Sequence, residues 1–299
     1  MIVSASRRTD IPAHYVEWLM CRIEAGFCMT QNPYNPRQVT RVSLRPEDVD
    51  AIVFWSKNPR PMIAHIEHLE KMGLCFYFQY TLNDYPQAFE PHIPPLADRL
   101  DTFKRLSAMV GAERVVWRYD PIVISNVTDF SYHRERFANL CATLEGSTRR
   151  VVISILDSYK HSDRRLALLN QDGIALRKEP AAAPEMLELL KDMAGQARNA
   201  GLTIFSCAEK QGYSSLGIQP GSCIDGALIR KLWGIDCGWE RDSGQRDNCN
   251  CVKAKDIGAN GTCPFLCSYC YATRSQETAR KNCESHRPDT NALLGNLEP

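Results

Sequence analysis

Residues 51–81, AIVFWSKNPRPMIAHIEHLEKMGLCFYFQYT, contain two apolar runs separated by an amphipathic segment. The first run, residues 51–55, predicts a buried strand, and residues 74–81 predict a second strand rich in aromatic side chains. Between the runs, apolar residues recur at helical spacing: Ile63, Ile66 and Leu69. Gly73 is a typical helix end. A strand, a helix and a strand in this order predict a parallel βαβ unit.

The same alternation extends on both sides of this unit. Four more strands are predicted at residues 3–6, 114–119, 151–156 and 202–207. Helices are predicted near residues 15–25, 96–110, 132–144 and 184–200. Residues 32–45 contain prolines and predict a loop. Six strands that alternate with helices predict a parallel α/β fold.

Composition narrows the classes of protein. The chain has 299 residues, 44% hydrophobic and 24% charged, with a formal net charge of +1. This charge predicts no broad nucleic-acid surface, so nucleic acid is an unlikely partner. No apolar run reaches the roughly 20 residues that span a bilayer. The first residues lack the pattern of an export signal, so we expect a cytoplasmic protein that does not bind membranes.

Thirteen cysteines are many for such a chain, and six of them fall between Cys237 and Cys270. Secreted disulfide scaffolds are usually shorter and carry a signal peptide, so thiols held for metal are the better interpretation. We therefore predict two parts: an α/β core over residues 1–235, and a cysteine-rich, cluster-binding segment over residues 236–299 that packs on the mouth of the core.

The segment GTCPFLCSYCYA, residues 261–272, spaces Cys263, Cys267 and Cys270 as C-x3-C-x2-C. Three thiolates on one loop can hold a [4Fe-4S] cluster and leave its fourth iron open, whereas electron carriers use four cysteines. A zinc site also prefers four closed ligands. The spacing favours an open [4Fe-4S] cluster, and the alternative is a zinc site or a closed cluster.

Four further cysteines are candidates for a second metal site. They are Cys207 at the predicted end of the sixth strand, Cys223, Cys249 and Cys251. Together they would complete an auxiliary [4Fe-4S] cluster or a zinc site. The alternative is that Cys207 and Cys223 are small core residues, because free cysteine is often buried.

Two resemblances follow from these motifs. The triplet, with Tyr269 directly before its third cysteine, resembles the signature of the radical S-adenosylmethionine (SAM) superfamily. Residues 4–12 (SASRRTDIP), 54–59 (FWSKNP) and 117–121 (WRYDP), with the cysteine-rich end, resemble the bacterial family known as domain of unknown function 1848. The superfamily resemblance implies a partial (β/α)6 TIM-like barrel. Because the cluster motif lies at the C-terminal end, the chain would be circularly permuted relative to the usual radical-SAM core.

The same resemblance implies the chemistry. A [4Fe-4S] cluster would bind SAM and cleave it reductively to a 5′-deoxyadenosyl radical that acts on an unknown substrate. The electron would come from an external donor such as flavodoxin or ferredoxin. Tyr269 would flank the adenine of SAM.

Polar side chains follow every predicted strand, and in α/β barrels such strand ends carry the site. These side chains, here called the strand-end ring, are Arg7, Arg8, Asp10, Lys57, Asn58, Gln79, Arg118, Asp120, Asp157 and Glu209. Arg118 and Asp120 lie two apart on one strand and therefore point the same way, either to hold SAM or as a structural ion pair. Lys57, Asn58, Arg7 and Arg8 would contact an anionic substrate or the SAM carboxylate. The residues predicted to bind cofactor are Tyr269, Arg118, Asp120, Lys57, Asn58, Gln79, Arg8 and Glu209. No catalytic residue is singled out.

Two other functions stay open. The cysteine-rich segment would serve a non-radical iron–sulfur or zinc binding module. Alternatively, Asp and Glu side chains at the strand ends would serve a hydrolytic α/β barrel with structural metal.

Overall fold

The computed structural model describes residues 1–242 and 244–298, and in these residues a parallel sheet of eight strands dominates the fold. The strands are β1 (Ile2–Ala5), β2 (Phe27–Asn32), β3 (Asn35–Ser43), β4 (Ala51–Ser56), β5 (Phe76–Thr81), β6 (Val115–Ile122), β7 (Arg150–Ile155), β8 (Thr203–Cys207), β9 (Gln219–Gly221) and β10 (Lys255–Asp256). The order in the sheet is β10-β1-β4-β5-β6-β7-β8-β9, and β2 and β3 form a separate antiparallel hairpin.

Helices connect the parallel strands. They are α1 (Ile11–His14), α2 (Val16–Glu24), α3 (Ile66–Lys71), α4 (Leu96–Val110), α5 (Phe130–Thr143), α6 (Lys160–Leu168), α7 (Pro184–Asn199), α8 (Gly226–Trp233) and α9 (Gln276–Glu284). A 3-10 helix, Arg60–His65, precedes α3. Asp side chains cap α1, α5 and α8 by accepting a backbone N–H of the first turn: Asp10, Asp129 and Asp225. Such caps satisfy amide groups that would otherwise lack partners.

Neighbouring strands pair in parallel register, so their C-terminal ends meet at one edge of the sheet. Ala5 of β1 pairs with Phe54 of β4, and Ser56 of β4 pairs with Tyr80 of β5. Because each crossover returns the chain to the same edge, the loops after the strands converge there. This edge carries the candidate site.

Both faces of the sheet are buried, as is typical of parallel sheets covered on two sides. Alternate residues of the strands pack on the connecting helices, including Phe54, Phe76 and Trp117. The intervening residues, such as Val53 and Tyr77, pack on the second face with α8 and with cysteines of the C-terminal segment. The cysteine-rich segment is therefore part of the core on this face.

The six predicted strands are confirmed within three residues at each end, and the parallel α/β class is confirmed. The sheet is open, because no pairing within residues 1–242 and 244–298 joins β9 to β10. The division of the chain at residue 235 stays a prediction. The later segment does contribute β10, which pairs with β1 at one sheet edge.

The prediction of a loop at residues 32–45 was wrong, because Asn35–Ser43 forms β3. Pro36 lies within this strand. Proline is tolerated there because each strand of a two-stranded hairpin is an edge strand. Val39, Thr40 and Val42 supply the β-branched side chains that favour a strand.

Candidate functional site

The sequence-predicted strand ends surround a cavity of about 440 Å³. Residues within or just after the C-terminal parts of β1, β4, β5, β6, β7, β8 and β9 contribute to its wall, and the C-terminal segment supplies much of the remainder. All seven candidate metal-binding cysteines line it: Cys207, Cys223, Cys249, Cys251, Cys263, Cys267 and Cys270. The chain thus brings thiols that are up to 63 positions apart to one space.

Cys207, Cys223, Cys249 and Cys251, here called the four-cysteine group, lie against one another. The Sγ atoms of Cys207 and Cys223 are 3.1 Å apart. Cys251 lies within thiol hydrogen-bonding reach of Cys223 and Cys249. Its sulfur also accepts the backbone N–H of Ile224 at 3.4 Å. The four thiols therefore form one continuous patch of sulfur.

Cations border the four-cysteine group. Arg118 donates from Nη1 to the Sγ of Cys223 at 2.8 Å. The hydrogen bond from Cys223, followed by that from Cys249, lowers the pKa of Cys251 to about 2, and the charge of Arg7 acts in the same direction. The hydrogen bond with Cys223 and the charge of Arg118 lower the pKa of Cys207 against the effect of burial. The hydrogen bonds within the group, together with burial, raise the pKa of Cys223 and of Cys249. Negative charge in the group is therefore favoured on Cys251 and Cys207.

The sulfur-rich donor set of the four-cysteine group suits zinc or an iron–sulfur cluster, because soft thiolates select these metals. Tetrahedral zinc with Zn–S bonds of about 2.3 Å would separate the sulfurs by about 3.8 Å. The Cys207–Cys223 distance of 3.1 Å is shorter than this. Within residues 1–242 and 244–298, no group of three or more His, Cys, Asp or Glu side chains has the arrangement that would hold a metal ion. The assignment of these four cysteines as metal ligands therefore stays a prediction, and their sulfur donors fit it chemically.

Cys263, Cys267 and Cys270, here called the triplet, lie on a loop that is anchored from outside. Arg165 of α6 donates to the carbonyl oxygens of Ser268, Cys270 and Thr273. The backbone N–H of Ser268 donates to the carbonyl of Phe89 at 2.9 Å. These bonds fix the loop backbone without using the thiols, which stay directed to the cavity wall.

Burial raises the pKa of the Cys263 thiol well above its ordinary value, and burial also raises the pKa of Cys267 although Lys57 opposes it. Buried thiols are stable as neutral groups, and metal binding would displace their protons. Three converging soft donors with no fourth cysteine on the loop fit a cluster with one open iron.

Tyr269 is buried beside the triplet and belongs to a charged cluster with Lys57 and Glu90, here called the Lys57 triad. The Nζ of Lys57 donates to Glu90 Oε1 at 2.8 Å and to the Tyr269 hydroxyl at 2.8 Å. The Tyr269 hydroxyl also donates to Glu90 Oε1. Burial alone would lower the pKa of Lys57, but the Glu90 carboxylate outweighs it and raises the pKa. The triad fixes the aromatic ring next to the cysteines.

Arg118 and Asp120 point the same way and form a buried ion pair. Asp120 Oδ2 accepts from Arg118 Nη2 at 2.5 Å and from Nε at 3.1 Å. Ser154 donates to the other carboxylate oxygen. Burial would raise the pKa of Asp120, but the Arg118 charge holds it below its usual range. Gln79 lies behind the cavity wall and donates to the carbonyl of Cys223 at 2.7 Å.

Arg7 and Arg8 follow β1 and have different partners. Arg8 donates from Nε to Asp256 Oδ1 at 3.1 Å and from Nη2 to the Asp256 carbonyl at 3.2 Å. Arg7 Nη1 makes a longer contact of 3.3 Å with Asp242. The guanidinium carbons of Arg7 and Arg118 lie 5.8 and 5.1 Å from the centre of the Trp55 ring.

Two further residues of the strand-end ring, Asp10 and Asp157, line the cavity. Asp10 accepts the backbone N–H of Lys57 at 2.7 Å, and burial raises the pKa of Asp10 to about 6. Asp157 forms an ion pair with Arg246 at the half-exposed rim.

Besides Gln79, two predicted residues do not line the cavity. The backbone N–H of Asn58 donates to Ser56 Oγ at 3.0 Å, and its side chain is not part of the wall. Glu209 accepts the backbone N–H of Ile155 at 2.9 Å, and burial raises the pKa of Glu209 to about 7. Both residues have local structural contacts instead.

The sequence analysis missed Glu90, Asp256 and Trp55. Glu90 lies in a proline-rich loop and gave no periodic or motif signal. Asp256 accepts from Ser6 Oγ at 2.6 Å, from the backbone N–H of Arg7 at 3.0 Å and from Arg8. Trp55 was assigned to the second strand only, although its position directly before the polar Ser56-Lys57 pair places it at a strand end.

The fold and the cavity together define a parallel α/β protein whose cysteines and charged side chains gather at the strand ends. The chain belongs to the family described as Domain of unknown function (DUF1848), whose model matches residues 2–272. This confirms the predicted family, and the matched range contains both cysteine groups. A search of curated proteins found no match to the chain. In the part of the chain that the structure describes, none of the helices is both long and apolar enough to cross a membrane.

Proposed function

We propose that this protein is a radical-SAM-type enzyme in which Cys263, Cys267 and Cys270 hold an open [4Fe-4S] cluster that binds SAM. The observation that carries the proposal is that the triplet lines one cavity of about 440 Å³ together with the charged side chains at the C-terminal ends of the parallel strands. Such strand ends are the usual place for a site in α/β proteins. The C-x3-C-x2-C spacing of the triplet supports an open cluster over a closed one.

The [4Fe-4S] cluster and SAM would supply, when bound, reductive cleavage of SAM. This cleavage yields 5′-deoxyadenosine once hydrogen has been taken from the substrate. The protein positions the reactants and excludes water. Arg165 holds the loop carbonyls, so the triplet thiols keep their direction. The Lys57 triad orients the ring of Tyr269, which we assign to the adenine of SAM. An external reductant such as flavodoxin or ferredoxin would supply the electron.

The ion pair of Arg118 and Asp120 is assigned to the floor of the SAM and substrate site, with Lys57 and Arg8 beside it. Arg118 reaches Cys223 as well as Asp120. It would therefore hold the four-cysteine group and the cofactor floor in a fixed relation.

We further propose that the four-cysteine group holds a second metal centre, either an auxiliary [4Fe-4S] cluster or zinc. The support is the contact among the four thiols and the two flanking guanidinium groups. Four thiolates around Zn²⁺ or around a [4Fe-4S]²⁺ core both carry a net charge of about −2, which these cations offset.

The fold proposal is a partial (β/α)6 TIM-like barrel that is circularly permuted relative to the usual radical-SAM core. Its support is the run of parallel strands β1 and β4 to β8, with the triplet entering after the last of them in the chain.

The experiment is an anaerobic reconstitution with iron and sulfide, followed by addition of SAM and dithionite and quantification of 5′-deoxyadenosine. We expect product from the wild type and none from Cys267→Ala. The matched control is Cys141→Ala, since Cys141 is equally buried but lies on α5 outside both cysteine groups. A full complement of cluster in the wild type without any product would refute the radical-SAM assignment.

The second candidate function is a metal-clamped binding module without radical chemistry. The thiol contacts of the four-cysteine group favour it, because they would serve a structural zinc equally well. Zinc as the sole metal after anaerobic purification, together with no 5′-deoxyadenosine, would support this second function.

A further inference from the structure

Three buried polar atoms of the cavity wall have no hydrogen-bond partner among residues 1–242 and 244–298. They are Arg7 Nη2, Thr9 Oγ1 and Trp55 Nε1. Two of the three, on Arg7 and Trp55, can only donate, and the Thr9 hydroxyl can donate or accept. Buried donors are normally satisfied, so a cavity whose lining residues hold several unpaired donors is suited to a ligand with acceptor atoms.

Arg7 differs from the other cations of the cavity in its remaining capacity to donate hydrogen bonds. Each of the others has an acidic partner at 3.1 Å or less: Arg8 with Asp256, Lys57 with Glu90, Arg118 with Asp120, and Arg246 with Asp157. Arg7 contacts Asp242 at 3.3 Å through Nη1 alone. Its second terminal nitrogen is therefore the donor that a ligand would engage.

The backbone holds Arg7, two residues beyond the end of β1, close to Trp55 of the neighbouring strand β4. β1 and β4 pair in register with Ala5 opposite Phe54, so the two residues emerge side by side. Asp256 accepts the backbone N–H of Arg7 at 3.0 Å, and the Tyr271 hydroxyl donates to the Arg7 carbonyl at 3.0 Å. The guanidinium carbon of Arg7 lies 5.8 Å from the Trp55 ring centre. A preorganised pair of donors binds without paying for its own ordering.

We propose that Arg7 Nη2 and Trp55 Nε1 bind an oxyanion of the substrate, a carboxylate or a phosphate group, with the Thr9 hydroxyl as a further donor. A planar guanidinium matches a pair of oxygens on either group. The substrate class is thus a small organic acid or phosphate ester that fits the cavity. The assignment of the oxyanion to the substrate rests on the proposed function, whereas the anion site itself rests on these contacts alone.

The test measures binding by isothermal titration calorimetry to the full-length, anaerobically metal-loaded protein. The probes are inorganic phosphate and acetate, which separate the two oxyanion classes. The variants are Arg7→Gln, Trp55→Phe and, as the matched control, Arg246→Gln, which removes a cation of the same cavity that already has a partner. Trp55→Phe keeps an aromatic six-membered ring and removes the N–H with the rest of the five-membered ring, so it also serves if Arg7→Gln folds poorly.

We expect saturable binding of at least one probe to the wild type, weakened about tenfold or more in Arg7→Gln and about threefold to tenfold in Trp55→Phe, as for a hydrogen bond to a charged group. Arg246→Gln should change the affinity less than twofold. Absence of saturable binding to the wild type, or equal losses in Arg7→Gln and Arg246→Gln, would overturn the site.

A parallel equilibrium dialysis with SAM decides whose oxyanion is held. Unchanged SAM affinity in Arg7→Gln supports a substrate group, and a loss as large as that for phosphate would show that the site holds the carboxylate of SAM and overturn the substrate assignment. Loss of bound metal in Arg7→Gln, with no probe binding in the wild type, would assign Arg7 to the thiolates instead. None of these readouts needs SAM cleavage, so failure of the proposed function is detected separately by the 5′-deoxyadenosine assay.

Discussion

Replacing Lys57 with Met should destabilise the protein strongly, because it leaves the Glu90 carboxylate buried without its counter-ion. The Lys57 and Glu90 side chains are 14% and 1% exposed, and their charged atoms are 2.8 Å apart. Removing one partner of a buried ion pair costs about 3–5 kcal/mol. Glu90 Oε2 already has no partner within the described residues, so little remains to compensate the carboxylate. We therefore expect Lys57→Met to lower the free energy of unfolding by about 3–5 kcal/mol.

The assay is urea unfolding of identically prepared wild type, Lys57→Met, Glu90→Gln and the double variant. Glutamine keeps an acceptor for the Tyr269 hydroxyl and removes the charge. The double variant should cost less than the sum of the single variants, because coupled buried groups give interaction energies of about 0.5–3 kcal/mol. The control is Lys253→Met, whose pair with Glu240 is 61% and 74% exposed and should contribute less than about 1 kcal/mol.

Two results would refute this reasoning. One is a cost for Lys57→Met no larger than that for Lys253→Met, which would mean that the buried pair gives no net coupling. The other is strict additivity in the double variant. The raised pKa of Lys57, which the Glu90 carboxylate causes against the opposing effect of burial, requires a favourable interaction between the two groups. Additivity would contradict that requirement directly.

Three further predictions concern metal, loop and pH. Cys223→Ser should reduce the iron or zinc bound per chain to the amount that the triplet alone holds, while Cys141→Ser should leave the bound metal unchanged. Metal analysis of both variants tests this prediction. Arg165→Ala should speed iron loss to a chelator several-fold, because three loop carbonyls lose their donor. Burial lowers the pKa of His133 to about 4. The unfolded state then binds more protons below about pH 6.5, so the wild type should lose about 2 kcal/mol between pH 7 and pH 5 that His133→Gln does not lose, measured by urea unfolding. The exposed control His68→Gln should follow the wild type.

The sequence predicted the strands and their polar ends because both signals are local. Apolar runs of strand length between helical patterns fix a parallel α/β class, and parallel order places every strand end at one edge. That logic placed Cys207 at this edge, where its sulfur lies 3.1 Å from that of Cys223. It also paired Arg118 with Asp120, since residues two apart on a strand share a face.

Partner choice across long separations was not predictable in the same way. Tyr269 meets Glu90 across 179 positions, and Ser6 meets Asp256 across 250. Neither acid stands in a periodic pattern, and a single carboxylate in a loop is usually solvated. The strand β3 was missed for a different reason, because tolerance of Pro36 depends on the strand lying at an edge.

The path of the chain explains how both cysteine groups reach one cavity. β9 ends at one edge of the open sheet and β10 lies at the other, so residues 222–254 must cross from edge to edge. Cys223 begins this crossing, and Cys249 and Cys251 lie near its end. Because β10 pairs with β1, the crossing also brings Cys251 near Arg7, which follows β1 and whose charge lowers the pKa of the Cys251 thiol after the thiol hydrogen bonds. A metal bound by the four-cysteine group would tie this crossing to the end of β8 at Cys207. It would thereby stabilise one part of the wall of the cavity that the triplet also lines.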